Sequence, residues 1–150
     1  MRSRLAGGVA AVVLVPALLA GCGGDEKPGA EKARYIEQSD AICRDALSQA
    51  AGVGTGRDEQ TSQRAADVWA AAAEKLKALP VPRESLEQAE QFTTDVENLS
   101  LAYTQAARSA ALNDQADVDE AYRDVDLIKR RAAEVAEEYG YEVCRNIGAT

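Results

Sequence analysis

Three thiols are the groups in this chain best suited to covalent chemistry, and their neighbours give them different work. Cys22 follows Leu19-Ala20-Gly21, a branched apolar residue and two small ones, at the end of the apolar run Leu5 to Ala20. Arg2 and Arg4 stand before that run. A charged start, a short apolar stretch and a small-residue cleavage site make a secretory signal. A cysteine directly after the site makes it a lipobox, in which the thiol is acylated and becomes the first residue of the mature chain. Cys22 is therefore expected to carry lipid, palmitate included, and to hold the protein on the extracytoplasmic face of the cell membrane. A membrane-spanning anchor is the competing reading, but it needs ~20 apolar residues. The run here has about 16, with Gly7, Gly8 and Pro16 inside it. A signal cleaved without lipidation leaves the cysteine at this position unexplained.

Cys43 and Cys144 remain, an even number in an exported domain, and such thiols are expected to pair. They lie 101 residues apart and bracket nearly all of the region that can fold. In the loop-entropy account a closure of that length stabilises by about 4–5 kcal/mol, less any strain in the native state. Two free buried thiols are the alternative, and an oxidising compartment argues against them.

The other reactive side chains offer less. The chain has no histidine, so Ser-His-Asp and Cys-His catalysis lack their usual base. Zinc sites and the Glu-x-x-His di-iron sites of bundles lose their usual imidazole ligand. Carboxylates gather at Glu134, Glu137 and Glu138 and again at Asp114, Asp117, Asp119 and Glu120. Paired carboxylates can move protons or bind a divalent cation, yet the second group lacks the spacing, turn glycine and closing glutamate of an EF-hand. Acidic residues at a helix start also offset the macrodipole, and a solvated helix face explains both groups. Lys129-Arg130-Arg131 is the dense basic cluster, with Asp126 four residues before Arg130 and Glu134 four after, so pairing along a helix accounts for it. Gly52, Gly54 and Gly56 lack the Lys-Ser/Thr of a phosphate-binding loop and read as an interhelical loop. Trp69, beside Ala70 to Ala73, is expected in a core, and Tyr139 and Tyr141 are expected to cover the disulfide end. No catalytic residue, cofactor or metal site is expected. Carboxylate or tyrosine chemistry at Glu134, Glu138 or Tyr103 is the weakest alternative, because nothing in the pattern makes these residues converge.

The elements that must carry these residues are helical. Removing residues 1 to 21 leaves 129, Cys22 to Thr150, enough for one domain. The formal charge then moves from -8 to -10 with the loss of Arg2 and Arg4. So acidic a chain is a poor partner for nucleic acid or for anionic head groups, and membrane association is expected through the lipid on Cys22. Residues 22 to 30, rich in glycine and charge, read as a flexible tether of up to about 30 Å. Four segments with helical periodicity follow in the domain of residues 31 to 150. The first, about Glu31 to Ala51, carries Ile36, Cys43, Leu47 and Ala50 on one stripe and stops at the glycine run. The second, about Asp58 to Leu79, carries Ala65, Val68, Trp69, Ala72, Leu76 and Leu79 and stops at Pro80-Val81-Pro82. The third runs from about Arg83 to Leu112, and the fourth from the capping pair Asn113-Asp114 to Tyr139, with Gly140 as its C-cap. Short connections favour antiparallel neighbours. The expected fold is all-α, an up-down-up-down four-helix bundle in which the tail Tyr141 to Arg145 turns back along the first helix and brings Cys144 to Cys43. A three-helix arrangement with an irregular first segment is the competitor.

The lipobox, the charged tether, Tyr35 ahead of Ile42-Cys43, the Leu79-Pro80-Val81-Pro82 break and the closing Tyr139-Gly140-Tyr141-Glu142-Val143-Cys144 together resemble the small uncharacterised Ala-rich secreted lipoproteins of actinobacteria. The resemblance spans essentially the whole chain. It implies a lipid-anchored helical domain outside the cytoplasm and transfers no catalytic residue. The expected function is a non-enzymatic module that binds an envelope protein or component. A small-ligand site between helices is the alternative.

Overall fold

The computed structural model describes residues 29–149. The expected signal peptide, Cys22 and the tether through residue 28 lie outside the described residues. Four α-helices form the fold: α1 (Ala30–Val53), α2 (Glu59–Lys77), α3 (Leu86–Ala111) and α4 (Gln115–Tyr139). Single 3-10 turns at Arg83–Ser85 and Cys144–Ala149 complete it. Consecutive helices run antiparallel as an up-down-up-down bundle, and the described residues contain no strand.

Local chemistry sets the boundaries. Asp58 caps α2, its carboxylate accepting from Thr61 N at 2.9 Å and Thr61 Oγ1 at 2.7 Å. Of the pair Asn113-Asp114, Asp114 is the cap of α4, accepting from Asp117 N at 3.2 Å. Asn113 takes the left-handed turn that ends the preceding segment, with φ 57. Gly140 is left-handed at φ 100 and returns its N–H to the carbonyls of Ala136 and Glu137, both at 3.1 Å. α3 begins three residues later than the periodicity predicts. Pro82 is extended and Ser85 leaves helical geometry (φ -140), so residues 83 to 85 form a 3-10 turn. That turn points Ser85 Oγ at Tyr139 Oη, 2.8 Å away in the interior.

The core lies along the α2–α3–α4 faces, around Leu76, Phe92, Val96, Leu99 and Val125. Alanines fill the gaps between them: Ala66 and Ala73 on α2, Ala89 and Ala106 on α3, Ala132 and Ala136 on α4 are all buried. Such small side chains let helices approach closely, while the few large ones supply ~1.5–3 kcal/mol each on burial. α1 contributes less. Its buried residues are Tyr35, Ser39, Asp40, Cys43 and Ala46, two of them polar. It packs on α2 and meets α4 chiefly through the tail, which lies against both.

Two devices fix that tail. Cys43 and Cys144 form the expected disulfide, with Cα atoms 5.1 Å apart. Beside it, the Asp40 carboxylate accepts from the backbone N–H groups of Glu142 and Val143 at 2.9 Å and of Cys144 at 3.0 Å. The tail continues past Arg145 for another turn, and Ile147 is fully buried.

Candidate functional site

At the end of the bundle where α1 finishes, the helices border a half-open recess of about 430 Å³. The last turn of α1 (Ala50 to Val53), the loop of residues 54 to 57, Thr61 to Trp69 of α2, Tyr103 of α3 and Tyr122 to Lys129 of α4 enclose it. Its floor is aromatic and apolar: Trp69, Tyr103 and Val125 are buried. The rings of Tyr103 and Tyr122 meet edge to face, centroids 6.0 Å apart. Tyr122 Oη donates to the Gly56 carbonyl at 3.2 Å and shares a hydrogen bond with Ser62 Oγ at 3.0 Å. These contacts turn the glycine-rich loop into a fixed rim. A Cβ at Gly56 would come within 2.6 Å of Asp58 Oδ2, so the residue that lets the loop pass its own helix cap is glycine.

Positive charge enters the recess from two places, and Asp126 lines it as well. Lys129 is buried on the α4 wall with Nζ 5.8 Å from the Tyr103 ring centroid. Burial pushes its ammonium pKa down, partly countered by the charge of Asp126. Arg57, at the mouth, lies 4.6 Å over the Tyr122 ring and pairs with Asp119 at 3.2 Å. Burial raises the Tyr103 phenol to about 12, with electrostatic repulsion from Tyr122 and Asp126 adding to the shift. Tyr103 is therefore a neutral donor at ordinary pH and not a base. The ensemble can hold a small molecule by ring packing, one ammonium and hydroxyl donors.

The other aromatic group lies toward the start of α1 and the end of α4, and the disulfide falls between it and the recess. Tyr139 and Tyr141 stack at 4.6 Å, Phe92 lies 4.9 Å from Tyr141, and Tyr35 meets Tyr139 edge on at 6.0 Å. These rings are buried and packed against one another. A wider hollow of about 840 Å³ adjoins them, between the start of α1 and residues 80 to 84. Apart from Tyr35 and Pro82 its walls are exposed or half-buried, with Glu31 and Glu84 set among Arg34 and Arg83. An exposed hollow of mixed sign discriminates poorly between solutes, and the smaller recess is the better-built site.

The basic cluster does not act as one surface. Lys129 faces the recess, Arg130 is exposed, and Arg131 crosses to α3. The expected pairs of Arg130 with Asp126 and Glu134 do not form among the described residues, and the bond that does form is interhelical and belongs to Arg131. Arg131 Nε donates to Asp95 Oδ1 at 2.8 Å, its Nη2 donates to the same oxygen, and Gln91 Nε2 adds a bond at 3.2 Å. Asp95 is fully buried, and its Oδ2 has no partner among the described residues.

Glu134, Glu137 and Glu138 are exposed. Tyr103 sits at the level of Tyr122, and Glu134 lies about 18 Å farther along α4 at ~1.5 Å per residue. Those side chains are not brought together. Asp114 is a helix cap and Asp119 pairs with Arg57. Among the described residues no group of three or more acidic or cysteine side chains could hold a metal ion, and no helix is long and apolar enough to cross a membrane. Trp69 is buried in the core as expected and also lines the recess. The sequence reading missed the convergence of Trp69, Tyr103, Tyr122 and Lys129. Its one visible signal was Lys129 itself, a charged residue four positions after Val125 and seven after Tyr122 on the apolar stripe of α4. Compared with known protein families, curated proteins and solved structures, the chain matches none.

Proposed function

We propose that this chain is a lipid-anchored extracytoplasmic binding protein without catalytic activity, and that its ligand is a small molecule held in the interhelical recess. The observation that carries the binding role is the recess: a 430 Å³ space walled by Trp69, Tyr103 and Tyr122 and reached by Lys129, within the size range of small-molecule sites. The anchor rests on Leu19-Ala20-Gly21-Cys22 and on the charged, glycine-rich residues that follow. An envelope protein bound on an outer helix face is the second reading. It is supported by exposed Leu101, Leu112 and Leu127, but single exposed leucines are ordinary on protein surfaces.

Two measurements test the proposal. Cys22→Ala should move the protein from the membrane fraction to the soluble one with its thermal melt unchanged, and retention in the membrane would refute the lipid anchor. Native mass spectrometry of protein from its own host should find a bound small molecule. A consistently empty domain, with a protein captured instead by mild crosslinking, would favour the second reading.

A further inference from the structure

We propose that the recess takes a small soluble organic anion with a flat apolar body, its charged end at Lys129 and its body against Trp69, Tyr103 and Tyr122. The inference rests on the recess being a ligand site and adds the class of ligand.

The charge follows from Lys129. Lys129 is largely buried as a residue and its ammonium lies 5.8 Å from the Tyr103 ring centroid, where partial desolvation strengthens a charge-assisted hydrogen bond to an anion. Lys129 already makes an interaction within the chain, and the ligand's charged end would join it there. Arg57 stands at the mouth, but its charge is already paired with Asp119, so the preference for an anion falls to Lys129. Asp126 also lines the recess but is exposed, so solvent screens it. Its presence favours a ligand of one negative charge over two.

The shape follows from the walls. Trp69, Tyr103 and Tyr122 offer ring faces and edges, which pack best on a planar body. A volume of about 430 Å³ equals roughly 14 water-sized groups at ~30 Å³ each. That accommodates a one- or two-ring acid and leaves no room for a diacyl lipid. Position points the same way. The recess lies at the Ala50 end of α1, about 30 Å of helix from Ala30 at ~1.5 Å per residue. It therefore lies at the far end of α1 from where the tether joins.

Trp69 is the single tryptophan of the chain and lines the recess, so its fluorescence reports occupancy. The full chain, purified from membranes into lipid nanodiscs, would be titrated with cinnamate, cinnamamide and cinnamylammonium. Empty nanodiscs serve as the blank, and calorimetry and Trp69 quenching are the readouts. The expected result is quenching by cinnamate at concentrations at least tenfold below those needed for the amide or the ammonium. Lys129→Met should level that preference at an unchanged melting temperature, and Lys129→Arg should retain it. Should the Met variant fail to fold, Lys129→Gln provides the same comparison. Equal binding of acid and amide, a preference that survives Lys129→Met, or tighter binding of oleate than of cinnamate would each overturn the assigned class while leaving the recess a binding site. Absence of binding by every probe would overturn the recess reading itself.

Discussion

At the scale of single residues, the informative positions are polar side chains standing on apolar stripes. Asp40 lies three residues before Cys43, Asp95 three after Phe92, and Lys129 four after Val125, each on its helix's inward face. Periodicity marks those faces correctly but cannot say what a charge does there, because the partner comes from elsewhere in the chain. Asp40 serves backbone groups more than 100 residues away. Asp40→Ala should leave three N–H groups without an acceptor, one of them fully buried. At ~1–3 kcal/mol for an unsatisfied buried group and less for the partly wetted pair, the loss should be about 2–4 kcal/mol. Asp40→Asn, which keeps one acceptor oxygen, should lose less. Urea melts of the two variants check both, and equal stability of Asp40→Ala and the parent would refute the clamp.

The buried tyrosines lead to a prediction in alkali. Burial raises Tyr103 to about 12 and also raises Tyr139 and Tyr141. A phenol whose folded pKa exceeds its unfolded value of ~10 contributes stability fully below pH 10. That contribution is lost as pH climbs through the folded value. Lys129 has the opposite sign, since its folded pKa is lowered. Its contribution grows with pH but stops growing above its unfolded value of ~10.4, so the tyrosines prevail beyond that point. Phenolate absorbance at pH 10.5 should therefore fall short of that of the denatured chain. The missing part should appear together with loss of helix as pH approaches 12. Full absorbance at pH 10.5 with native helix content would contradict the burial of these rings.

At the scale of elements, boundaries were legible wherever local chemistry decides them. The glycine run, Pro80-Val81-Pro82, Asp114 and Gly140 each stop or start a helix within a few residues of the expected place. What stayed hidden was set by tertiary partners. Residues 83 to 85 tighten into a 3-10 turn, with Ser85 placed on Tyr139, and residues 144 to 149 form a turn that buries Ile147. Neither segment is long enough to show a period. The recess is a stronger case, since four elements contribute to it and no single stripe reveals it. Gly140→Ala tests the cap. The new Cβ would meet Ile36 Cδ1 at an ordinary 3.9 Å, so its cost is conformational only. An alanine held at φ 100 should lose about 1–2 kcal/mol. Gly140→Asn should lose less, because asparagine tolerates left-handed caps. Equal losses for the two would point to packing in place of backbone strain.

At the scale of the whole molecule, stability is unevenly distributed. α2, α3 and α4 share the large apolar side chains and the closely spaced alanines, so they hold one another without help from a covalent link. α1 buries two polar residues among five and depends on the tail, which is itself held by Cys43–Cys144 and Asp40. The disulfide closes 101 residues, so in the unfolded chain it restricts nearly the whole domain. In the native chain it joins the weakest helix to the tail. Reduction, or Cys43→Ser, should therefore act twice. The global effect is a loss of about 4–5 kcal/mol, equivalent to a Tm lower by roughly 10–20 °C. The local effect is on the order of opening, because elements with few buried apolar contacts unfold first. Native-state hydrogen exchange of the reduced protein should show α1 and residues 144 to 149 losing protection well before α2, α3 and α4. An unchanged Tm would mean that the bridge contributes nothing to stability. Simultaneous loss of protection in all four helices would mean that α1 belongs to the same cooperative unit as the core. The recess would then owe its α1 wall to packing and not to the disulfide. If the order of opening is as expected, the recess loses that wall on reduction, and cinnamate binding should weaken under conditions where α2, α3 and α4 remain folded.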